Sequence, residues 1–183
     1  MAREMVVLVD ENDRQIGVSE KMHAHHRGLL HRAFSIFLFN RNGDMLLQKR
    51  ALHKYHSGGL WSNACCSHPR PGESLLQAVH RRLREELGMT CRIRKAFNFI
   101  YKIQLRCGLI EHELDHVYYG VYSGHIQPNP DEVADYRWVN IETLMDSLRR
   151  QPEKYTEWFK IILHEHDLIG RLQAAFRRHG VAL

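Results

Sequence analysis

The sequence predicts an α/β sandwich built on a mixed sheet. Three features lead there. Short apolar runs at Met5 to Val9, Ala33 to Phe39 and Met45 to Lys49 have the length and side chains of strands. The last two are joined by Asn40-Arg41-Asn42-Gly43-Asp44, and Asn-Gly between apolar runs is a hairpin signal. Beyond them, Glu73 to Leu87 carries Leu75, Leu76, Val79, Leu83 and Leu87 at helical spacing and stops at Gly88. Strands on both sides of a central helix imply packed layers.

The remaining elements follow in chain order. The N-terminal residues pair the acidic Glu4 with a short apolar run and offer no small-residue cleavage site, so they read as a first strand rather than an export signal. Pro69 to Gly72 closes a loop before the central helix. Further strands are expected at Ile93 to Tyr101, Val117 to Tyr122 and Tyr136 to Val139, then helices at Ile141 to Arg150 and Tyr155 to Arg178. The chain of 183 residues shows no repeat, low-complexity tract or dividing linker, so residues 1–183 are expected to form one domain.

Composition narrows the function classes. No apolar run approaches the roughly 18 residues of a membrane span, which points to a soluble, cytoplasmic protein. Cys65 and Cys66 are neighbours, Cys91 and Cys107 stand alone, and without a CxxC pair neither a disulfide framework nor a zinc ribbon is expected. The formal charge of +5 fits an anionic partner or simply a solvated basic face. Basic residues gather at Lys49 to Lys54 and Arg81 to Arg84, but no helix-turn-helix or aromatic RNA motif accompanies them, so nucleic acid is not the expected partner.

Three groups of residues carry potential chemistry. Trp61-Ser62-Asn63-Ala64-Cys65-Cys66-Ser67-His68-Pro69 reads as a loop with two thiols and an imidazole, the kind of neighbour that tunes a reactive thiol. A buried structural cysteine is the plainer alternative for either thiol. His25 and His31 flank Gly28-Leu29-Leu30, while Glu111 and Glu113 alternate on an extended segment and so point to one side. With His68 they form a candidate set of three imidazoles and two carboxylates, suited to zinc, manganese or iron. His23 and His26 compete with His25, and the other histidines, such as His53 and His164, read as surface residues. Trp61, Tyr101 and Trp158 are core aromatics unless a cation forms beside them.

The run Arg81-Arg82-Leu83-Arg84-Glu85-Glu86-Leu87-Gly88-Met89, with Glu73 before it, resembles the Nudix box, a metal-diphosphate motif. Ser67 replaces its first glycine and Arg82 the first glutamate of its Arg-Glu pair, which argues against diphosphate cleavage. Taken together, Gly28-Leu29-Leu30-His31-Arg32-Ala33-Phe34-Ser35, Gln48-Lys49-Arg50-Ala51, Cys66-Ser67-His68-Pro69 and Glu111-His112-Glu113-Leu114-Asp115 resemble type I isopentenyl diphosphate isomerases, roughly from Glu20 to Trp158.

That resemblance implies a Nudix-like α/β/α sandwich and a double-bond shift on an isoprenoid diphosphate. It assigns proton transfer to Cys66 and Glu113 with help from Tyr101, and a carbocation-facing role to Trp158. It implies a divalent metal, Mn²⁺ or Zn²⁺, on His25, His31, His68, Glu111 and Glu113. It further implies Mg²⁺ on the bound diphosphate through Glu86, and diphosphate contacts from Lys21, Arg50, Lys54 and Arg82. A monomer is expected. A Nudix diphosphohydrolase and a noncatalytic metal- or nucleic-acid-binding module are the competing classes.

Overall fold

The computed structural model describes residues 4–105, 107–164 and 167–178. The elements run β1 (Met5–Val9), β2 (Gln15–Glu20), α1 (Lys21–Arg27), β3 (His31–Phe39), β4 (Met45–Arg50), β5 (Trp61–Asn63), β6 (Cys65–Ser67) and α2 (Leu75–Leu87). They continue with β7 (Ile93–Gln104), β8 (Ile110–Val121), β9 (Val133–Val139), α3 (Ile141–Arg150), α4 (Glu157–His164) and α5 (Leu168–Arg178).

The sheet is mixed, as expected. β3 pairs in parallel with β8 along its full length, from His31 opposite Glu113 to Phe39 opposite Val121. Its other edge is shared in turn by β1, β6 and β4, all antiparallel. β9 pairs with β4, and β7 with β8.

Strand alternation sends the side chains of β3 to two cores. Phe34, Ile36 and Leu38 pack with Ala78, Val79, Leu83 and Leu87 of α2. Phe37 and Phe39 pack on the other face with Leu144 of α3, Phe159 and Ile162 of α4, and Leu172 and Phe176 of α5. Helices therefore cover both faces, giving an α/β/α sandwich. Among the described residues no helix is long and apolar enough to cross a membrane.

The central helix starts at Leu75 because Ser74 caps it: its Oγ accepts from the Gln77 amide, while the Gln77 side chain accepts from the Ser74 amide. It ends at Gly88, where φ is +63° and a Cβ would stand 2.6 Å from the Gln127 carbonyl. Only glycine fits both conditions.

Several boundaries differ from the sequence reading. β2 and α1 had not been expected; α1 spans only 7 residues, too few for a helical period to show. The segment from Trp61 to Ser67 is two short strands rather than a loop. β8 begins at Ile110, not Val117, so Glu111 and Glu113 lie inside the strand. The single helix expected from Tyr155 to Arg178 is two, and its residues 165 and 166 lie outside those described, as do residues 1–3 and 179–183 of the expected domain.

Candidate active site

Beyond Phe37 and Phe39, the same face of β3 turns polar at Ser35 and His31. β8 does likewise, passing from Val117 and Tyr119 to Asp115, Glu113 and Glu111. Polar side chains at inward positions have to be satisfied locally. Of these, Ser35, Glu111 and Glu113 line a cavity that His25, His68, Cys66, Tyr101, Trp158 and the basic residues also reach.

The imidazoles come from α1, β3 and the residue that follows β6. His25 lies on α1, where it is 1% exposed while His23 and His26 face solvent. Its Nδ1 sits 2.8 Å from the Lys21 carbonyl, and the Nδ1 of His31 is 2.8 Å from the Leu29 carbonyl. Carbonyls only accept, so each Nδ1 carries the proton, and in the neutral ring Nε2 is left with the lone pair. The Nε2 atoms of His31 and His68 are 3.2 Å apart. Glu113 approaches both, at 2.9 Å from His68 and 3.5 Å from His31.

One ligand atom from each of His25, His31, His68 and Glu113 lies within 4.8 Å of the others. Donors bound about 2.1 Å from one ion stand roughly 3 to 4 Å apart, so this set fits a divalent cation with little contraction. Three imidazole nitrogens and one carboxylate oxygen converging this closely in a largely buried place are the observation that asks for one. Glu111 stands apart from these four: it groups instead with His25 and His56.

Burial raises Glu113, but its contacts with the His31 and His68 imidazoles outweigh it and hold the carboxyl well below its ordinary range. Glu111 is pushed the other way by burial and then by the charge of Glu113. The Tyr101 hydroxyl joins them, 2.7 Å from Glu113 and 3.3 Å from Glu111. Burial, then the charge of His68, lowers His25 to about 4.

Successive residues of β6 point to opposite faces, and this separates the two thiols. Cys65 packs in the α2 core with Phe34 and Ile36. Cys66 lies opposite Ser35 and lines the cavity. Its thiol donates to Asn63 Oδ1 at 3.0 Å, while Asn63 is anchored through Nδ2 to the Ile36 and Cys65 carbonyls. Burial, then the charge of Asp115, pushes the Cys66 thiol far up, so it is protonated at neutral pH. Trp158 is fixed by its indole N–H, which donates to Ser62 Oγ at 2.9 Å.

The basic residues ring the same cavity. Lys21 pairs with Glu4 at 2.6 Å, Lys54 with Glu132, and Arg82 with Glu86 at 2.5 Å and Glu132 at 3.2 Å. Arg50 lies 5.2 Å from the Trp158 ring centroid, and among the described residues its buried Nε has no hydrogen-bond partner. Glu86 also accepts from Gln48 at 3.0 Å.

Every residue proposed from the sequence reaches this region, although His31 lies behind the cavity wall. Sequence reasoning missed Asn63, Glu132, Asp115 and His56. His53 and His164 are exposed as expected, but His56 and His116 are buried, a correction to the reading of the remaining histidines as surface residues. The signal for His56 is its place between Lys54 and the Gly58-Gly59 pair, just after the basic segment.

The profile of the NUDIX domain matches residues 29–159. A protein of Aromatoleum aromaticum named isopentenyl-diphosphate Delta-isomerase 2 is 51% identical over 87% of this chain and 85% of its own length. The isopentenyl-diphosphate Delta-isomerase of Pectobacterium atrosepticum is 54% identical over 85% of this chain and 87% of its own. The chain belongs to the isopentenyl-diphosphate Delta-isomerase family. Solved structures extend the likeness in fold alone: the Deinococcus radiodurans protein DR0079 superposes with a TM-score of 0.68 at 20% identity, covering 81% of this chain and 90% of that one. Set within this family, the mixed sheet and the α2 box are those of a NUDIX domain whose helix carries Arg82 where the hydrolase box has glutamate.

Proposed function

We propose that this chain is an isopentenyl-diphosphate Delta-isomerase, interconverting isopentenyl and dimethylallyl diphosphate as a monomeric, cytoplasmic enzyme whose whole length acts as one domain. The observation that carries the reading is the pairing of a protonated thiol and a carboxylate across β3. Cys66 enters from β6 on one edge, and Glu113 from β8 on the other. Shifting a double bond needs that arrangement: one proton is added to the terminal alkene carbon, a tertiary carbocation results, and one proton leaves C2. Protons balance, and no bond to the diphosphate breaks.

Cys66 and Glu113 are the acid and base, with the Tyr101 hydroxyl holding Glu113 in line at 2.7 Å. Trp158, 4% exposed, supplies a ring face beside the cation, worth about 2 kcal/mol or more when desolvated. Positioned acids and bases give about 10² to 10⁴ in rate. Protonating an unactivated alkene needs more, and exclusion of water from an aromatic-walled cavity with fixed charges supplies it.

Lys21, Arg50, Lys54 and Arg82 take the diphosphate; the unpartnered Arg50 Nε supports an anion there. Glu86 would hold Mg²⁺ on that diphosphate. His25, His31, His68 and Glu113, with Glu111 beside them, would hold Mn²⁺ or Zn²⁺. When bound, this ion supplies positive charge that fixes the Glu113 carboxylate and strengthens the local field.

The test is an isomerase assay on metal-loaded protein. Isopentenyl diphosphate is expected to yield the acid-labile allylic isomer, with Cys66→Ala nearly inactive. Full activity of that variant would overturn the assignment.

A further inference from the structure

We infer that His56 is a positioning residue for Glu111, its ring holding this carboxylate against the cation-binding centre from the side that the other imidazoles leave open. The inference rests on the reading of that centre as a metal site.

Glu111 is 3% exposed yet lies outside the compact group of His25, His31, His68 and Glu113. Its hydrogen bond from Tyr101 is long, at 3.3 Å, because the same hydroxyl favours Glu113 at 2.7 Å. His56 also faces it, with Nε2 3.5 Å from Glu111 Oε1. His25, His56 and Glu111 also converge within 4.8 Å, but this is no second metal site. His25 commits Nδ1 to the Lys21 carbonyl and has one free nitrogen, which serves one ion at a time. His56 and Glu111 therefore form the outer flank of a single centre.

The chain around His56 is built to aim the ring. Ser57 adopts φ +52°, a conformation unfavourable for a residue with a Cβ. At Gly58 a Cβ would stand 2.4 Å from the Leu52 carbonyl, so the turn closes only with glycine. Ser57 Oγ lies 3.2 Å from His56 Nδ1, and a hydroxyl donating there leaves the ring proton on Nε2, the nitrogen that stands 3.5 Å from Glu111 Oε1. Tyr55 and Trp158 wall the ring edge-on, with centroids 4.3 and 5.6 Å away.

Main chain and side chain of His56 have separate tasks. Its carbonyl accepts from the Arg50 guanidinium at 3.3 Å, on the diphosphate side, while its ring faces Glu111 on the metal side. Replacing the ring leaves the Arg50 contact in place. The substitution should therefore change metal binding and turnover and spare KM. Partners that orient a metal centre's carboxylates commonly contribute 10- to 100-fold in affinity.

The experiment measures Mn²⁺ and Zn²⁺ affinity by chelator competition, the absorption band of the Co²⁺ form, and kcat and KM. For His56→Ala we expect metal affinity about 10- to 100-fold weaker, kcat lower, KM unchanged and the Co²⁺ band at saturation unaltered in shape. His56→Gln, whose amide can donate to Glu111, should recover part of the affinity, and it carries the test if the alanine variant does not fold. In a Glu111→Gln background, His56→Ala should add little. Wild-type affinity in His56→Ala would overturn the inference, as would an undiminished effect in the Glu111→Gln background or a changed Co²⁺ band, which would make His56 a ligand. Failure of the wild-type protein to bind metal at this centre would instead overturn the underlying metal-site reading.

Discussion

Removing one oxygen atom isolates the role of Tyr101. Its ring is 7% exposed and lies tilted against Phe99 with centroids 5.7 Å apart, so Tyr101→Phe keeps the packing and deletes only the hydroxyl. That hydroxyl has one proton to donate, and at 2.7 Å against 3.3 Å it goes to Glu113 rather than Glu111. A hydrogen bond to a charged group is worth about 1.5 to 3 kcal/mol. At about 1.4 kcal/mol per tenfold, full use of this bond in the transition state makes kcat fall roughly 10- to 150-fold. KM should stay near wild type, because the proposed diphosphate contacts, Lys21, Arg50, Lys54 and Arg82, do not include this hydroxyl. The measurement is steady-state isomerase kinetics alongside thermal unfolding. A kcat within twofold of wild type, or a loss appearing only in KM, would refute the reasoning.

Two further substitutions probe the cores around the cavity. Cys65→Ala should retain isomerase activity while costing on the order of 1 kcal/mol of stability in urea unfolding, since this thiol packs in the α2 core, against Glu86, on the face of β6 opposite to Cys66. Loss of turnover there would reverse the roles of the two cysteines. His116 is fully buried, 3.1 Å from Asp13 and within reach of the Lys95 charge. Burial, then the charge of Lys95, lowers its pKa to about 4 against the opposing pull of Asp13. The unfolded chain then takes up this proton first as pH falls, so the stability is complete above about 6.5 and is lost between there and about 4. Urea unfolding of metal-free protein at about pH 7 and about pH 4.5 should show wild type losing on the order of 2 kcal/mol more than His116→Phe. Equal losses would contradict this.

Much of the fold was legible because β3, β4 and α2 have long apolar patterns whose period is unambiguous. The failures have one physical origin: elements whose inward face is polar do not look like elements. β8 begins with Glu111, Glu113 and Asp115 on the face that continues as Val117 and Tyr119, so its first half alternates like any strand but with acids where apolar residues should stand. α1 and the three-residue β5 and β6 are too short to display a period. These same segments carry His25, Asn63 and Cys66. The residues of the site were legible as types, and rivals such as His23, His26 and Cys65 were separated only once the facing of α1 and β6 was known. Arg82 was the reverse case, a departure from the box that the helix position explains: it faces the cavity beside Glu86, where a cation suits a bound diphosphate. His56 and Glu132 were hidden because turns carry no periodicity to say which side chains face inward.

Proton nuclear magnetic resonance of isopentenyl diphosphate, incubated in D₂O with the Mg²⁺- and Mn²⁺-loaded protein, tests proton transfer through Cys66 and Glu113 most directly. The expected result is dimethylallyl diphosphate carrying solvent deuterium in a methyl group, lost together with turnover in Cys66→Ala and in Glu113→Gln. Release of phosphate without the allylic isomer, or unchanged deuterium incorporation in either variant, would contradict it.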